Sequence, residues 1–318
     1  MDTLEIIRTS FLSPLVLAFL VGMAATLIKS ELEFPQPVLN AISIYLVFSI
    51  ALKGGTELSA LATLALVLFV PSACYVLARR FIGLDIPNAA GIAALYGSVS
   101  SVTFLAALSL ADRLSDPAEP FMPVLVSLME WGILVALFIA RWRMRRSQSS
   151  AVVPIREIVI DTLRGRSVIL LLGGLFIGYV VGEPGFQSIK PFFEDAFRGV
   201  LTLFLLEMGM VAARQLREFF RLGPRLLVFG IGVPIVNGAL GIVLGTLAGL
   251  SVSGSFVLGA ITASASYIDA PAAVRAALPQ ANPSIYLTSS LGITFPFNLL
   301  IGLPVYYQLA SLLHGLLR

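Results

Sequence analysis

Two apolar stretches of this 318-residue chain carry the residues best suited to chemistry. One reads Gly91-Ile-Ala-Ala-Leu-Tyr-Gly-Ser-Val-Ser-Ser-Val-Thr103. The other reads Gly259-Ala-Ile-Thr-Ala-Ser-Ala-Ser-Tyr-Ile-Asp-Ala-Pro271. Each sets Gly, Ser and Thr in the middle of a hydrophobic run, and the second adds Asp269 and Pro271. Proline removes a backbone donor and clashes with the preceding turn, so a helix should open near Pro271. Unwound backbone at membrane depth is tolerated where it lines a cavity or is enclosed by protein. If both stretches break and cross, their half-helix N-termini bring partial positive charge and free N–H groups together. That is an anion site built without Lys or Arg. Gly97, Ser98, Ser100, Ser101, Ser264 and Ser266 would surround the anion, and freed carbonyls would suit a small cation. The alternative use of such small residues is close helix packing.

Three acids lie deep in apolar runs: Glu130, Glu207 and Asp269. A carboxylate at the bilayer centre costs at least about 2.5–3.5 kcal/mol, so each is a functional candidate. Asp269 has the most polar neighbourhood. Glu130 has two readings, a site acid or a protonated, hydrogen-bonded structural one. Glu207 reads as structural, capping a broken helix or pairing at a subunit contact. Thr288-Ser-Ser-Leu-Gly-Ile-Thr-Phe-Pro-Phe-Asn298 adds further oxygens. With Thr103, Glu130 and Asp269, the residues Ser290, Thr294 and Asn298 would form a cation shell of hydroxyl, carbonyl and amide oxygens. Packing is the alternative for this stretch too. His314, the single histidine, reads as interfacial.

The elements that must position these residues follow from composition. The chain is 58% hydrophobic and 12% charged, with a mean hydropathy of +0.94. Soluble domains carry about 25% charged residues. Ten apolar segments stand out: Phe11–Ile28, Val38–Leu52, Leu58–Leu77, Ala89–Leu110, Phe121–Ala140, Val168–Val181, Phe197–Ala213, Leu226–Leu250, Phe256–Leu278 and Ile285–Leu309. They do not alternate, which excludes a barrel and predicts membrane helices. The first reads as a span and not as a cleaved signal peptide. One cysteine, Cys74, rules out a disulfide framework within the chain. There is no His/Cys metal set, no Ser/His/Asp arrangement, no phosphate-cradling loop and no aromatic-interleaved basic stripe. Enzyme and nucleic-acid classes are thereby disfavoured.

If all ten segments span, fifteen Lys and Arg lie on one side and six on the other. The positive-inside rule makes the richer side cytoplasmic and puts both termini outside. The basic stretch Arg141 to Arg166 divides the chain into residues 1–142, a linker 143–166, and residues 167–318. Gly91 and Gly259, Ser98 and Ser266, Met122-Pro123 and Asn282-Pro283, and Gly132-Ile133 and Gly292-Ile293 recur in the same order. Five spans per half is odd, so the second copy would be inverted. Inverted repeats with broken helices at the midplane are a design of secondary transporters.

The chain resembles the sodium-dependent bicarbonate symporter family. The resemblance runs through Ser13-Pro14, Gly54-Gly55, Leu95-Tyr-Gly-Ser-Val-Ser-Ser101, Phe197-Arg-Gly199, Met208-Gly-Met210, Ser264 to Pro271, Arg275, Ala281-Asn-Pro-Ser284 and Thr294-Phe-Pro-Phe-Asn298. It implies ten helices in two inverted five-helix repeats, a core domain moving against a gate domain as an elevator, and a homotrimer in the inner membrane. It implies a bicarbonate site between the Ser-rich breaks with sodium nearby, sodium as coupling ion, and no other cofactor. Glu130 falls where cyanobacterial members carry Asp. Those members carry Asp where this chain has Tyr267, and Ser where it has Asp269. The long cytoplasmic insertion of those members is absent, which weakens the implied PII-like regulatory partner.

The expected function is sodium-coupled uptake of a small anion, bicarbonate first. An ionised acid about 4 Å from the anion would repel it by about 4 kcal/mol at an effective dielectric near 20. Sodium would cancel that repulsion and make the two affinities interdependent. The alternatives are a sodium/proton antiporter, an organic-acid symporter, or a membrane-embedded anion sensor.

Overall fold

The computed structural model describes residues 12–30, 32–51, 59–146, 160 and 166–317. Lys53, Gly54-Gly55, Arg156 and Arg164 lie outside the described residues. So does most of the expected linker, although the helix before it runs on to Arg146.

The described residues are helical, with no strand among them. The elements are α1 (Pro14–Leu27), α2 (Gln36–Ala51), α3 (Ser59–Leu77), α4 (Ile86–Gly97), α5 (Ser101–Arg113), α6 (Met122–Met129) and α7 (Gly132–Arg146). The second half holds α8 (Arg166–Lys190), α9 (Phe197–Leu222), α10 (Pro224–Leu247), α11 (Val252–Thr262), α12 (Asp269–Ala277), α13 (Pro283–Leu287), α14 (Phe295–Phe297) and α15 (Leu303–Leu317). Wide π-turns at Thr288–Thr294 and Asn298–Gly302 join the last three. Six stretches are long and apolar enough to cross a membrane: Ala60–Ile82, Ile86–Arg113, Met122–Arg146, Gln187–Arg214, Pro224–Leu247 and Pro283–Leu316. Helices α1 and α11 and the Pro37–Leu46 part of α2 are shorter apolar helices.

The helices start where the sequence supplies caps. Ser13 accepts from the Val16 N–H at 3.1 Å, with Pro14 following it. Asp85, Ser251 and Asn282 cap α4, α11 and α13 in the same way. A cap oxygen satisfies one of the orphan N–H groups of the first turn.

Three apolar runs are interrupted. Ser98–Ser100 separates α4 from α5, Glu130 and Trp131 separate α6 from α7, and residues 263–268 separate α11 from α12. The third break differs from the expectation in one detail: it opens ahead of Pro271. Pro271 lies in the first turn of α12, where its missing N–H has no intrahelical partner to lose.

The interrupted stretch Ile86–Arg113 is 89% buried along its most apolar window, against 39% for Ala60–Ile82. The broken helices therefore lie inside the bundle, and α3 turns Leu61, Leu68 and Phe69 outward. Helix α4 packs on α3 and α7, and α11 packs on α10 and α15. Helix α1 packs against α9, and α2 against α8. A Cβ on Gly22 would run into the Leu206 carbonyl, and one on Gly209 into that of Phe19. That closeness is what glycine permits at membrane helix contacts.

Candidate functional site

The breaks after α4 and after α11 cross and satisfy each other. The Ser266 N–H donates to the Leu95 carbonyl at 2.8 Å. The Ser100 N–H donates to Ser264 Oγ at 2.9 Å. Each break thus gives one backbone donor to the other, as required where no water can serve unwound backbone. Ser264 Oγ itself donates to the Ile261 carbonyl at 2.7 Å. Ser100 Oγ caps α5 through the Thr103 N–H at 3.2 Å, and Ser266 Oγ accepts from the Ala270 N–H at 3.3 Å. The structure therefore brings Ser98, Ser100, Ser264 and Ser266 together, all buried, with Ser101 half-buried at the first turn of α5. Much of their hydrogen-bonding capacity holds the crossing itself.

The third break meets the first. Ser98 Oγ donates to Glu130 Oε2 at 2.5 Å. Gly97 and Gly132 press backbone to backbone beside this bond. A Cβ on Gly132 would overlap the Gly97 carbonyl, and one on Gly97 would sit 2.7 Å from Pro71. The other carboxylate oxygen, Glu130 Oε1, is buried without a hydrogen-bond partner, and so is Thr103 Oγ1. Both residues are 2% exposed. Asp269 is half-buried at the first position of α12 and close enough to Glu130 for their charges to interact. The Tyr267 hydroxyl also lies buried, beside Ser100.

The remaining expected ligands stand on the π-turn segment. Ser290 Oγ turns back to the Leu287 carbonyl at 3.4 Å. Thr294 Oγ1 donates to the Gly230 carbonyl at 2.6 Å and lies 2.5 Å from the Tyr96 hydroxyl. Asn298 uses both ends of its amide. Its Nδ2 donates to the Ala263 carbonyl at 2.9 Å, and its Oδ1 accepts from Tyr306 at 3.0 Å. These three are bound into the wall behind the crossing. Glu207 is buried on α9, which packs on α1, and its Oε2 has no partner. His314 bonds the Leu250 and Ala310 carbonyls at 2.9 Å.

Sequence reasoning missed several residues. Tyr96 ties α4 to the π-turn through Ser289 at 2.7 Å and through Thr294. A tyrosine directly before the Gly97–Ser101 cluster was the available signal. Asp116 and Glu119 fasten the start of α11: Ser253 Oγ donates to Asp116 at 2.8 Å, and the Ser251 N–H to Glu119 at 2.6 Å. Near them a cavity of about 530 Å³ is lined by Ser109, Asp112, Glu119, Phe193, Asp195 and Arg198, among others.

Chemically, the site offers two half-helix N-termini with different charge. The first turn of α5 has no acid, whereas that of α12 begins with Asp269. An anion is favoured at the first and repelled at the second. The unpartnered oxygens of Glu130 and Thr103 suit a hard cation, which takes oxygen ligands. Residues 14–311 match a family model described as the Na+-dependent bicarbonate transporter superfamily, leaving out thirteen residues at one end and seven at the other. No curated protein matches the sequence.

Proposed function

The chain belongs to the Na+-dependent bicarbonate transporter superfamily, and from that premise we propose that it couples sodium entry to uptake of a small anion, bicarbonate first. It is a multi-pass membrane protein of a transporter family and not an enzyme. The observation that carries the reading is the reciprocal crossing of two broken helices beside the Ser98–Glu130 bond.

The anion sits at the start of α5, against the first-turn N–H groups and the Ser100 and Ser101 hydroxyls, with Ser98, Ser264, Ser266 and Gly97 closing the pocket. The Ser98 proton stays with Glu130 and the Ser264 proton with the Ile261 carbonyl. Sodium sits toward Thr103, Glu130 and Asp269. Ser290, Thr294 and Asn298 complete or brace that shell from behind. The division follows from the acid at the head of α12, which makes that N-terminus a poor place for a second anion. Sodium between carboxylate and anion converts their repulsion into attraction, so each ligand raises the other's affinity.

The ten-helix, inverted-repeat architecture with repeats at 1–142 and 167–318 belongs to the same proposal. The packing supports it: α1 on α9 is matched by α8 on α2, and α4 on α3 and α7 by α11 on α10 and α15. Pro71 and Pro234 are 163 residues apart, and so are Cys74 and Asn237. Asn237 Nδ2 lies 3.9 Å from Cys74 Sγ. Two equivalent positions that touch are what a two-fold axis between halves produces. Helices α1, α2, α8 and α9 would be the gate, and the broken helices the moving core of an elevator. The Lys and Arg asymmetry supports an inner-membrane protein with both termini on the non-cytoplasmic side. A homotrimer is the proposed assembly, with a PII-like protein as its candidate regulator.

The test is labelled-bicarbonate uptake into proteoliposomes with and without an inward sodium gradient. Uptake is expected only with the gradient. Equal uptake in its absence sinks the coupling scheme.

A further inference from the structure

Helix α7 ends in a basic cluster that the transport site does not use. Its last six residues are Arg141-Trp-Arg-Met-Arg-Arg146. One or two cations suffice to complement the negative end of a helix dipole. Four are present, and among the described residues none forms an ion pair with a carboxylate. The Arg141 Nε and Nη1 are enclosed by protein and have no hydrogen-bond partner. A desolvated guanidinium without an acceptor is costly, so this one calls for an anion.

The same helix supplies the rest of a ligand-shaped surface. Phe138 and Trp142 are 57% and 42% exposed and stand four residues apart, on one face. Arg145 and Arg146, three and four residues beyond Trp142, continue that face. The Arg146 guanidinium lies 4.1 Å from the Trp142 ring centroid, and that of Arg143 lies 4.9 Å from it. Stacking on an aromatic ring holds a guanidinium in place and leaves its edge donors open. An apolar strip facing lipid therefore runs straight into fixed cationic donors, where the acyl region of a bilayer gives way to headgroups.

We propose that this end of α7 is a binding site for an anionic phospholipid. Its phosphate is held by Arg141, Arg145 and Arg146, and an acyl chain lies along Trp142 and Phe138. Topology alone explains a surplus of arginine at a helix end. It does not explain buried guanidinium donors beside an exposed apolar strip on the same helix.

The test uses the full chain in detergent with phosphatidylglycerol or phosphatidylcholine whose acyl chains are brominated. The quenching present in wild type and absent in Trp142→Phe reports lipid at that ring. Phosphatidylglycerol is expected to quench at far lower concentration than phosphatidylcholine. Arg145→Gln with Arg146→Gln should weaken that preference about 30-fold, from about five-fold per guanidinium. Thermal unfolding in the same detergent checks that the variant stays folded. Equal quenching by the two lipids, an unchanged preference in the folded double variant, or displacement of the lipid by millimolar inorganic phosphate overturns the proposal.

Discussion

Ser98 and Glu130, thirty-two residues apart in the chain, meet at the centre of the bundle, the serine hydroxyl donating to the carboxyl at 2.5 Å. The bond joins the break between α4 and α5 to the break between α6 and α7. It leaves one carboxyl oxygen without an internal partner. An acid fixed on one side and unpartnered on the other is suited to bind a cation.

Ser98→Ala should therefore impair transport without unfolding the protein. A hydrogen bond to a charged group contributes about 1.5–3 kcal/mol, so kcat/KM for sodium should fall about 10- to 100-fold. Ser98→Thr should retain more activity than Ser98→Ala. Initial uptake rates across a sodium series measure both.

Gly132→Ala should be among the most damaging single changes. Its Cβ would overlap the Gly97 carbonyl, which is backbone and cannot rotate away. Overpacking costs typically about 1–3 kcal/mol. Gly173→Ala, with nothing near its Cβ, is the control and should unfold at the wild-type temperature. Thermal unfolding in detergent compares them.

Asn298→Asp should destabilise more than Asn298→Ala. The amide donates to the Ala263 carbonyl and accepts from Tyr306. An aspartate in the same place sets one carboxyl oxygen against that carbonyl, while alanine only deletes the bonds. Unpaired buried groups cost about 1–3 kcal/mol each. The order of unfolding temperatures, Asn above Ala above Asp, is the expected readout.

Arg198 at the start of α9 pairs with Asp112 near the end of α5 at 3.3 Å, across the proposed gate and core. Both side chains are about half exposed, so the bond contributes at most about 1 kcal/mol to stability. Its loss should show instead in turnover. Asp112→Asn should change the uptake rate with little change in unfolding temperature. The swap of Asp112→Arg with Arg198→Asp should restore the rate.

The long apolar stretches were legible from hydropathy because each runs far beyond what a soluble chain of this charge could cover. The two breaks at Ser98–Ser100 and residues 263–268 were legible from Gly, Ser and Pro within those runs. The break at Glu130 was not read as one, although Pro123, Ser127, Glu130 and Gly132 all interrupt the apolar run from Phe121 to Ala140. Glycine there also serves close contact with Gly97, which no local pattern reveals. Asn298 was expected as a sodium ligand from its type; its bonds to the Ala263 carbonyl and to Tyr306 were not legible, since tertiary packing brings those partners to it. The π-turns at Thr288–Thr294 and Asn298–Gly302 were not read either, although Thr, Ser, Gly, Pro and Asn interrupt the hydrophobic pattern of that stretch; the first of them packs against α9 and α10.

The central claim is that sodium and the anion raise each other's affinity through Glu130 and Asp269. Isothermal titration of the purified protein tests it most directly. Bicarbonate is titrated at several sodium concentrations, and sodium at several bicarbonate concentrations. The account predicts that sodium tightens bicarbonate and that bicarbonate tightens sodium by the same factor, with both effects lost in Asp269→Asn. Bicarbonate affinity that is indifferent to sodium would contradict it.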